Sequence, residues 1–341
     1  MRTAAPLARY RRELDEHLHE IVGRRHPPLL YQMIRYHLGW EDEQGLPDDA
    51  GGKALRASLC MLASEAVGGD SRRALPAAAA VELVHNFSLI HDDIQDRDSE
   101  RHDRLTVWSI WGEAQAINAG DALLALARRS LMGLADRGTP PQVVNEAARV
   151  LDGRTLEMVE GQTLDISFEG MFEVTVADYM DMAGRKSGAL FDCALSLGAL
   201  AGGAAPQVIT KLGQIGRTLG TAFQVRDDVL GVWGDPRVTG KPRGADIRRR
   251  KKSLPVVYAL EQAEGVMRDE LRHAYNKAEL SEDDAVLVLQ CLDETGARQY
   301  CVSVAQESKD VAVSALGELT LHADPAAELR ETAEFLLDRD Y

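Results

Sequence analysis

The sequence has only four cysteines, Cys60, Cys193, Cys291 and Cys301, and none stands at the spacing of a disulfide framework or a zinc site. That scarcity fits a reducing compartment, and the cytoplasm is the expected location. No run approaches the roughly 20 apolar residues that cross a bilayer, so a transmembrane segment is not expected. The first 22 residues mix Arg2, Arg9, Arg11 and Arg12 with Glu13, Asp15, Glu16 and Glu20, and lack the continuous apolar stretch of a signal peptide. Basic residues are outnumbered, 39 Lys and Arg against 54 Asp and Glu, for a formal net charge of −15 with His neutral. Such a chain is a poor match for a phosphate backbone, which excludes general nucleic-acid binding. Alternating runs of the strand type are scarce, and there is no fixed-period repeat or low-complexity tract.

What is present is ordinary for a globular protein: 341 residues, 45% hydrophobic and 27% charged. Apolar residues recur at three and four positions, as in Leu55, Leu59 and Leu62 or Leu123, Leu124 and Leu126, so the fold class read from the pattern is all-α. Breaks at 45–49, 68–71, 138–141, 202–206 and 234–244 are short turns, not linkers, and the whole chain, 1–341, reads as a single domain. Between the breaks the pattern places about a dozen helices. Alanine-rich stretches at 77–80 and 194–201 permit close helix contacts in one large bundle.

Three clusters carry chemistry. In the run His91-Asp92-Asp93-Ile94-Gln95-Asp96, Asp92 and Asp96 fall one helical turn apart on one face, with Asp93 about 100° round. An isolated pattern of this kind is also what a solvated acidic helix end shows. A second pair, Asp227 and Asp228, again interrupts an apolar helix, and Lys241, Lys251 and Lys252 follow a glycine-rich loop. Magnesium prefers a few carboxylates together with phosphate oxygens, so two such patches suit a bridged diphosphate, and nearby cations suit its remaining charge. A solvated basic loop fits Arg248, Arg249 and Arg250 equally well. The third cluster is Gly51-Gly52-Lys53-Ala54-Leu55-Arg56, a helix start with two cations, which makes an anion site. His85 lies two turns below Asp92 and reads either as a donor to a second phosphate or as a satisfied core histidine.

The ordered blocks GGKALR at 51, ELVHNFSLIHDDIQDRD at 82, RHDRLTVW at 101, GDALL at 120, EGQTLDI at 160, GRKSGALF at 184, FQVRDDVLGVWGDP at 223 and TGKPRGADIRRRKKSLP at 239 resemble the trans-type isoprenyl diphosphate synthases, or polyprenyl synthetases. The resemblance implies an all-α bundle of the isoprenoid synthase type with a central apolar cavity, normally a homodimer. It implies a prenyltransferase that joins isopentenyl diphosphate head to tail to an allylic diphosphate with magnesium, two or three ions to a site. Asp92, Asp93 and Asp96 match the first aspartate-rich motif of the family, and Asp227 and Asp228 the second. Both would hold metal. Arg101, Lys186 and Lys241 match cations that grip the allylic diphosphate. Lys53, Arg56 and His85 match the isopentenyl diphosphate site, and Ser187 and Gln224 match polar groups near the developing cation.

Departures from the family pattern bear on this. His102 stands where a second arginine is usual, and imidazole offers no guanidinium fork. The second motif ends in Gly231 where aspartate is usual, and Ala54 and Ala57 replace common Arg and Pro. In the family an aromatic five residues before the first motif goes with products that stop at C20. Phe87, beside the small Ser88, therefore points to geranylgeranyl diphosphate, unless Phe87 packs sideways into a neighbouring helix. The alternatives are farnesyl diphosphate synthase, a prenyltransferase with a changed acceptor, a terpene cyclase and a non-catalytic synthase subunit. The intact aspartate pairs speak against the last two.

Overall fold

The computed structural model describes residues 5–48, 50–171, 173–234, 244–277 and 279–337. Its elements in chain order are α1 (Ala5–Ala8), α2 (Arg11–Val22), α3 (Pro28–His37), α4 (Leu55–Ala66), α5 (Ser71–Gln95), β1 (Glu100–Arg101), β2 (Arg104–Leu105), α6 (Val107–Trp111), α7 (Glu113–Met132) and α8 (Pro141–Glu169). Then come α9 (Val176–Ala183), a π-helical turn (Gly184–Gly188), α10 (Ala189–Ala201), α11 (Pro206–Trp233), α12 (Ala245–Arg248), α13 (Leu254–Gln262), α14 (Gly265–Asn276), α15 (Glu282–Glu294), α16 (Ala297–Gly317) and α17 (Ala323–Leu337). The all-α reading holds. The estimate of about a dozen helices falls short because α1, α6 and α12 are a turn or so long and carry no apolar repeat.

Local chemistry sets the boundaries. The Asp70 side chain accepts from the Arg72 N–H at the start of α5, and capping boxes of Thr175 with Asp178 and Ser281 with Asp284 open α9 and α15. Pro141 and Pro206 occupy the first positions of α8 and α11, where a missing N–H costs nothing. Helices α5 and α10 are apolar on nearly every face, which suits elements at the centre of a bundle. Helix α5 packs between α4 and α7, and α10 between α4, α8 and α11.

Two apolar clusters form. The larger gathers the first seven helices with α10, the end of α16 and α17, the smaller α9, α12 to α15 and the start of α16. The long helices α8 and α11 contribute to both: Leu219 and Ala222 belong to the first, Val225 and Val229 to the second. Polar ties lie among them. The buried Asp192 of α10 is met by Arg154 Nε at 3.0 Å and Arg217 Nη2 at 3.2 Å.

The strands β1 and β2 pair antiparallel, Arg101 opposite Arg104. The two residues between them, His102 and Asp103, have φ of 52° and 60°, which is the left-handed pair that a two-residue hairpin turn demands. His and Asp tolerate that region better than most residues, so the unusual His102 is explained locally by the turn. Among the described residues no helix is long and apolar enough to cross a membrane.

Candidate active site

The first acidic patch is the last turn of α5. Asp96 is exposed, Asp92 half-buried, and Asp93 only 2% exposed. Asp93 turns away from its neighbours to Arg101, whose Nε and Nη2 reach Oδ1 at 2.8 and 2.7 Å. The hairpin that carries Arg101 is itself pinned. Arg104 donates to the carbonyls of Tyr36 at 3.1 Å and Glu41 at 3.0 Å, and the Tyr36 hydroxyl donates to the Leu105 carbonyl at 2.7 Å. Burial, together with the charge of Asp96, pushes the Asp92 carboxyl up to about 6 against the opposing pull of Lys186. Partial desolvation by the surrounding chain also raises Asp96, although its surface is exposed, with Lys186 and Lys251 again on the opposing side. Acids this hard to ionise alone are suited to a cation that neutralises them.

The second patch sits near the end of α11. Asp227 is half-buried, while Asp228 is 1% exposed and fully engaged. Its Oδ2 accepts from the Tyr179 hydroxyl at 2.5 Å and the Leu254 N–H at 2.9 Å, and its Oδ1 from Gln224 Nε2 at 3.0 Å, with Lys251 Nζ at 3.5 Å. Ser187 continues the chain, donating to Gln224 Oε1 at 2.5 Å. Asp93 and Asp228 were expected among the metal ligands. Their carboxylates are committed to protein donors, whereas Asp92, Asp96 and Asp227 are not buried to that degree.

Between the patches stand lysines and one carboxylate that sequence reasoning did not single out. Lys186 Nζ lies 2.5 Å from Asp165 Oδ2. Burial alone would raise the Asp165 carboxyl, but Lys251 and Lys186 outweigh it and hold it below its usual value. The ammonium of Lys251 would be disfavoured by burial, yet Asp228, Asp246, Asp165 and Asp96 keep it charged. Asp165 belongs to the block EGQTLDI, and its placement one turn beyond Gly161 is the signal that would have found it. Gly161 lets α8 touch the π turn. A Cβ there would collide with the Lys186 amide and stand 2.7 Å from Lys186 Cα.

The basic loop divides. Arg249 pairs with Asp98, Arg248 Nη2 reaches Glu282 at 2.8 Å, and Arg250 Nη1 donates to the Lys277 carbonyl at 2.5 Å, so these three tie the loop to the bundle. Lys252 packs over the Tyr275 ring at 4.9 Å. Lys241 lies outside the described residues.

In the third cluster Arg56 Nη1 is 3.2 Å from His85 Nε2 and its guanidinium lies over the Phe191 ring at 4.8 Å. Burial, with Arg56 and Arg101 adding, holds His85 well below the ordinary histidine value, so the ring is neutral and accepts from Arg56. Lys53 is half-buried at the start of α4, behind Ala54 in a left-handed conformation at φ 46°. His102 is exposed at the hairpin tip. Phe87 is 7% exposed with its ring edge-on to His91 at 4.8 Å, and the Ser88 hydroxyl donates to the His85 carbonyl at 2.8 Å.

Among the described residues no three His, Cys, Asp or Glu side chains are gathered to hold a metal by themselves. The donor set is one of separated hard oxygens facing cations, the set that magnesium completes with phosphate and water. Residues 47–292 match the model of the polyprenyl synthetase family. The chain belongs to that family, and with it to the prenyltransferases. It is 47% identical over 257 residues to geranylgeranyl diphosphate synthase of Mycobacterium tuberculosis (strain ATCC 25618 / H37Rv), covering 75% of this chain and 72% of that protein. It is 38% identical over 316 residues to (2E,6E)-farnesyl diphosphate synthase of the same strain, covering 92% and 87%. The polyprenyl synthetase from Streptomyces coelicolor A3(2) superposes with a TM-score of 0.90 at 38% identity, over 98% of this chain and 99% of that one.

Proposed function

We propose that the polyprenyl synthetase described here condenses isopentenyl diphosphate head to tail with allylic diphosphates in a magnesium-dependent reaction, with geranylgeranyl diphosphate as main product. The observation that carries this reading is the pair Lys186 and Lys251, two half-buried cations held by Asp165 and Asp228, of which Lys186 acts on both Asp92 and Asp96 of the first patch and Lys251 on Asp96. Asp92, Asp96 and Asp227 would hold magnesium, which when bound draws charge from the leaving diphosphate. Asp93 orients Arg101, and Asp165 and Asp228 orient Lys186 and Lys251, toward the same anion. These cations stabilise the departing diphosphate as the allylic C1–O bond opens. Ser187 and Gln224 turn their dipoles toward the carbocation, the isopentenyl double bond attacks C1, and the proton leaves to the departed diphosphate. No side chain stands out as a general base. At the acceptor end His85 holds Arg56, and Lys53 and Arg56 bind the second diphosphate.

The homodimer belongs to this proposal, and the exposed apolar side chains Ile117 on α7 and Leu156, Val159 and Ile166 on α8 support it as a surface for a second copy. The four cysteines are free and buried, which accords with a cytoplasmic setting.

Product length is the point on which the two relatives' names divide. If Phe87 blocks the growing tail, Phe87→Ala is expected to shift the main product from C20 toward C25 and beyond when products from C5, C10 and C15 starters are read by mass spectrometry. If the ring serves the core alone, product length stays fixed and stability drops by about 3–5 kcal/mol. A C15 main product from the wild-type enzyme would favour the farnesyl reading.

His102→Arg is expected to lower the KM for isopentenyl diphosphate by about tenfold, the worth of one charge-assisted hydrogen bond, and to leave the allylic KM unchanged. Loss of activity in a folded variant would instead give His102 another partner and favour a changed acceptor.

A further inference from the structure

His91 stands beside Asp92 and takes no part in the chemistry proposed above, yet its ring is held on two sides. On one side it fills a notch in α7. A Cβ at the buried Gly120 would collide with His91 Nε2 and Cδ2 and would stand 3.2 Å from Cε1, so the imidazole lies against bare backbone. The same Nε2 is 3.4 Å from the Ile117 carbonyl oxygen, about one turn earlier on α7. On the other side is Phe87, one turn before His91 on the same face of α5. The two rings meet edge to face, with centroids 4.8 Å apart and planes at 67°, the arrangement in which aromatic pairs attract. Phe87 is therefore braced, through His91, against the main chain of a second helix. An aromatic side chain on a helix has two open χ1 rotamers, and a ring fixed at one edge selects between them.

We propose that His91, seated in the notch that Gly120 leaves, is a positioning residue for product length: it holds Phe87 in one rotamer and so fixes the depth at which the growing tail stops. Phe87 sets the length, and His91 sets how sharply that length is kept. With the brace gone the phenyl ring samples its second rotamer, so some tails stop early and others pass. Glycine at 120 is part of the device, because even a methyl group there would displace the imidazole, a side chain free to swing, and not the main chain.

This inference rests on the reading of Phe87 as the stop for the tail, and product distributions from C5, C10 and C15 starters, read by mass spectrometry, test the two separately. His91→Ala and Gly120→Ala are each expected to lower the ratio of the main product to its neighbours one isoprene unit shorter and longer, by roughly two- to tenfold, the worth of one edge-to-face pair. A histidine that only packs the seam between α5 and α7 would change the melting temperature and leave that ratio alone. In a His91→Ala background Gly120→Ala should change the distribution no further, since the methyl group has no ring left to displace, and in a Phe87→Ala background neither change should matter. If Phe87→Ala lengthens the product while His91→Ala or Gly120→Ala keeps the wild-type ratio, the brace is overturned and the reading of Phe87 stands. An added change from Gly120→Ala in the His91→Ala background, or a loss of turnover in folded His91→Ala without a changed ratio, overturns it equally. An unchanged distribution in Phe87→Ala overturns both.

Discussion

Asp92→Ala and Asp227→Ala are each expected to lower turnover by about a thousandfold or more, with the helical circular-dichroism signal and the melting temperature nearly unchanged. The reasoning is differential. Removing one group that meets developing charge in a water-poor site costs about 10²–10³ in rate, and these two carboxylates stand on opposite patches, so neither covers for the other. Neither side chain is committed to the core as Asp93 and Asp228 are. Asp228→Ala should therefore behave differently, losing stability as well as rate, because it strands the Tyr179 hydroxyl, the Leu254 N–H and the Gln224 amide. Steady-state rates set beside thermal melts check the contrast. A near-normal rate in Asp92→Ala or Asp227→Ala would remove the two-patch site altogether.

Gly161→Ala is expected to reduce kcat by about a hundredfold and to destabilise the fold by about 1–3 kcal/mol. The atoms a methyl group would meet are main chain, the Lys186 amide and Cα and the Arg185 carbonyl carbon, and main chain inside a helix cannot swing aside. Helix α8 must then part from the π turn, and Lys186 parts from Asp165. Gly153→Ala on the same helix is the control, since nothing lies within 4 Å of a Cβ there. That variant should be neutral or slightly stabilised, alanine being the better helix former. If the two variants melt and turn over alike, the close approach at Gly161 has no bearing on the site.

The helical class was legible because apolar spacing near 3.6 residues survives over segments such as 11–22 and 206–233, whichever tertiary contacts form. The acidic pairs were legible for a related reason: charge that abruptly follows a long apolar helical run is conspicuous. What each carboxylate does was not legible. Asp92 and Asp93 are neighbours in sequence, yet the 100° step between them leaves one half-buried at the patch and turns the other to Arg101, and the partner arrives from a hairpin whose register no periodicity reveals. Tyr179 and Asp165 escaped notice for the same cause. Each reaches the site from a separate element, and its importance lies in a distance across space. The glycines at 120 and 161 carried a signal only by what they lack.

The π turn at Gly184–Gly188 has a consequence for phase. A single unbroken helical run from Val176 to Ala201 must present Tyr179 to Asp228 on its early half and Asp192 to Arg154 and Arg217 on its later half. In uniform α geometry each residue advances the helix by about 100° and 1.5 Å. The extra residue held in the π turn shifts the two halves against each other by that amount, so both buried carboxylate contacts are met at once. A deletion of one residue within 184–188 would restore ordinary helix and keep every apolar side chain in the chain, yet it would put one half out of phase with its partners. Lys186, at the centre of the turn, is thus placed by the length of the sequence around it as much as by its own identity.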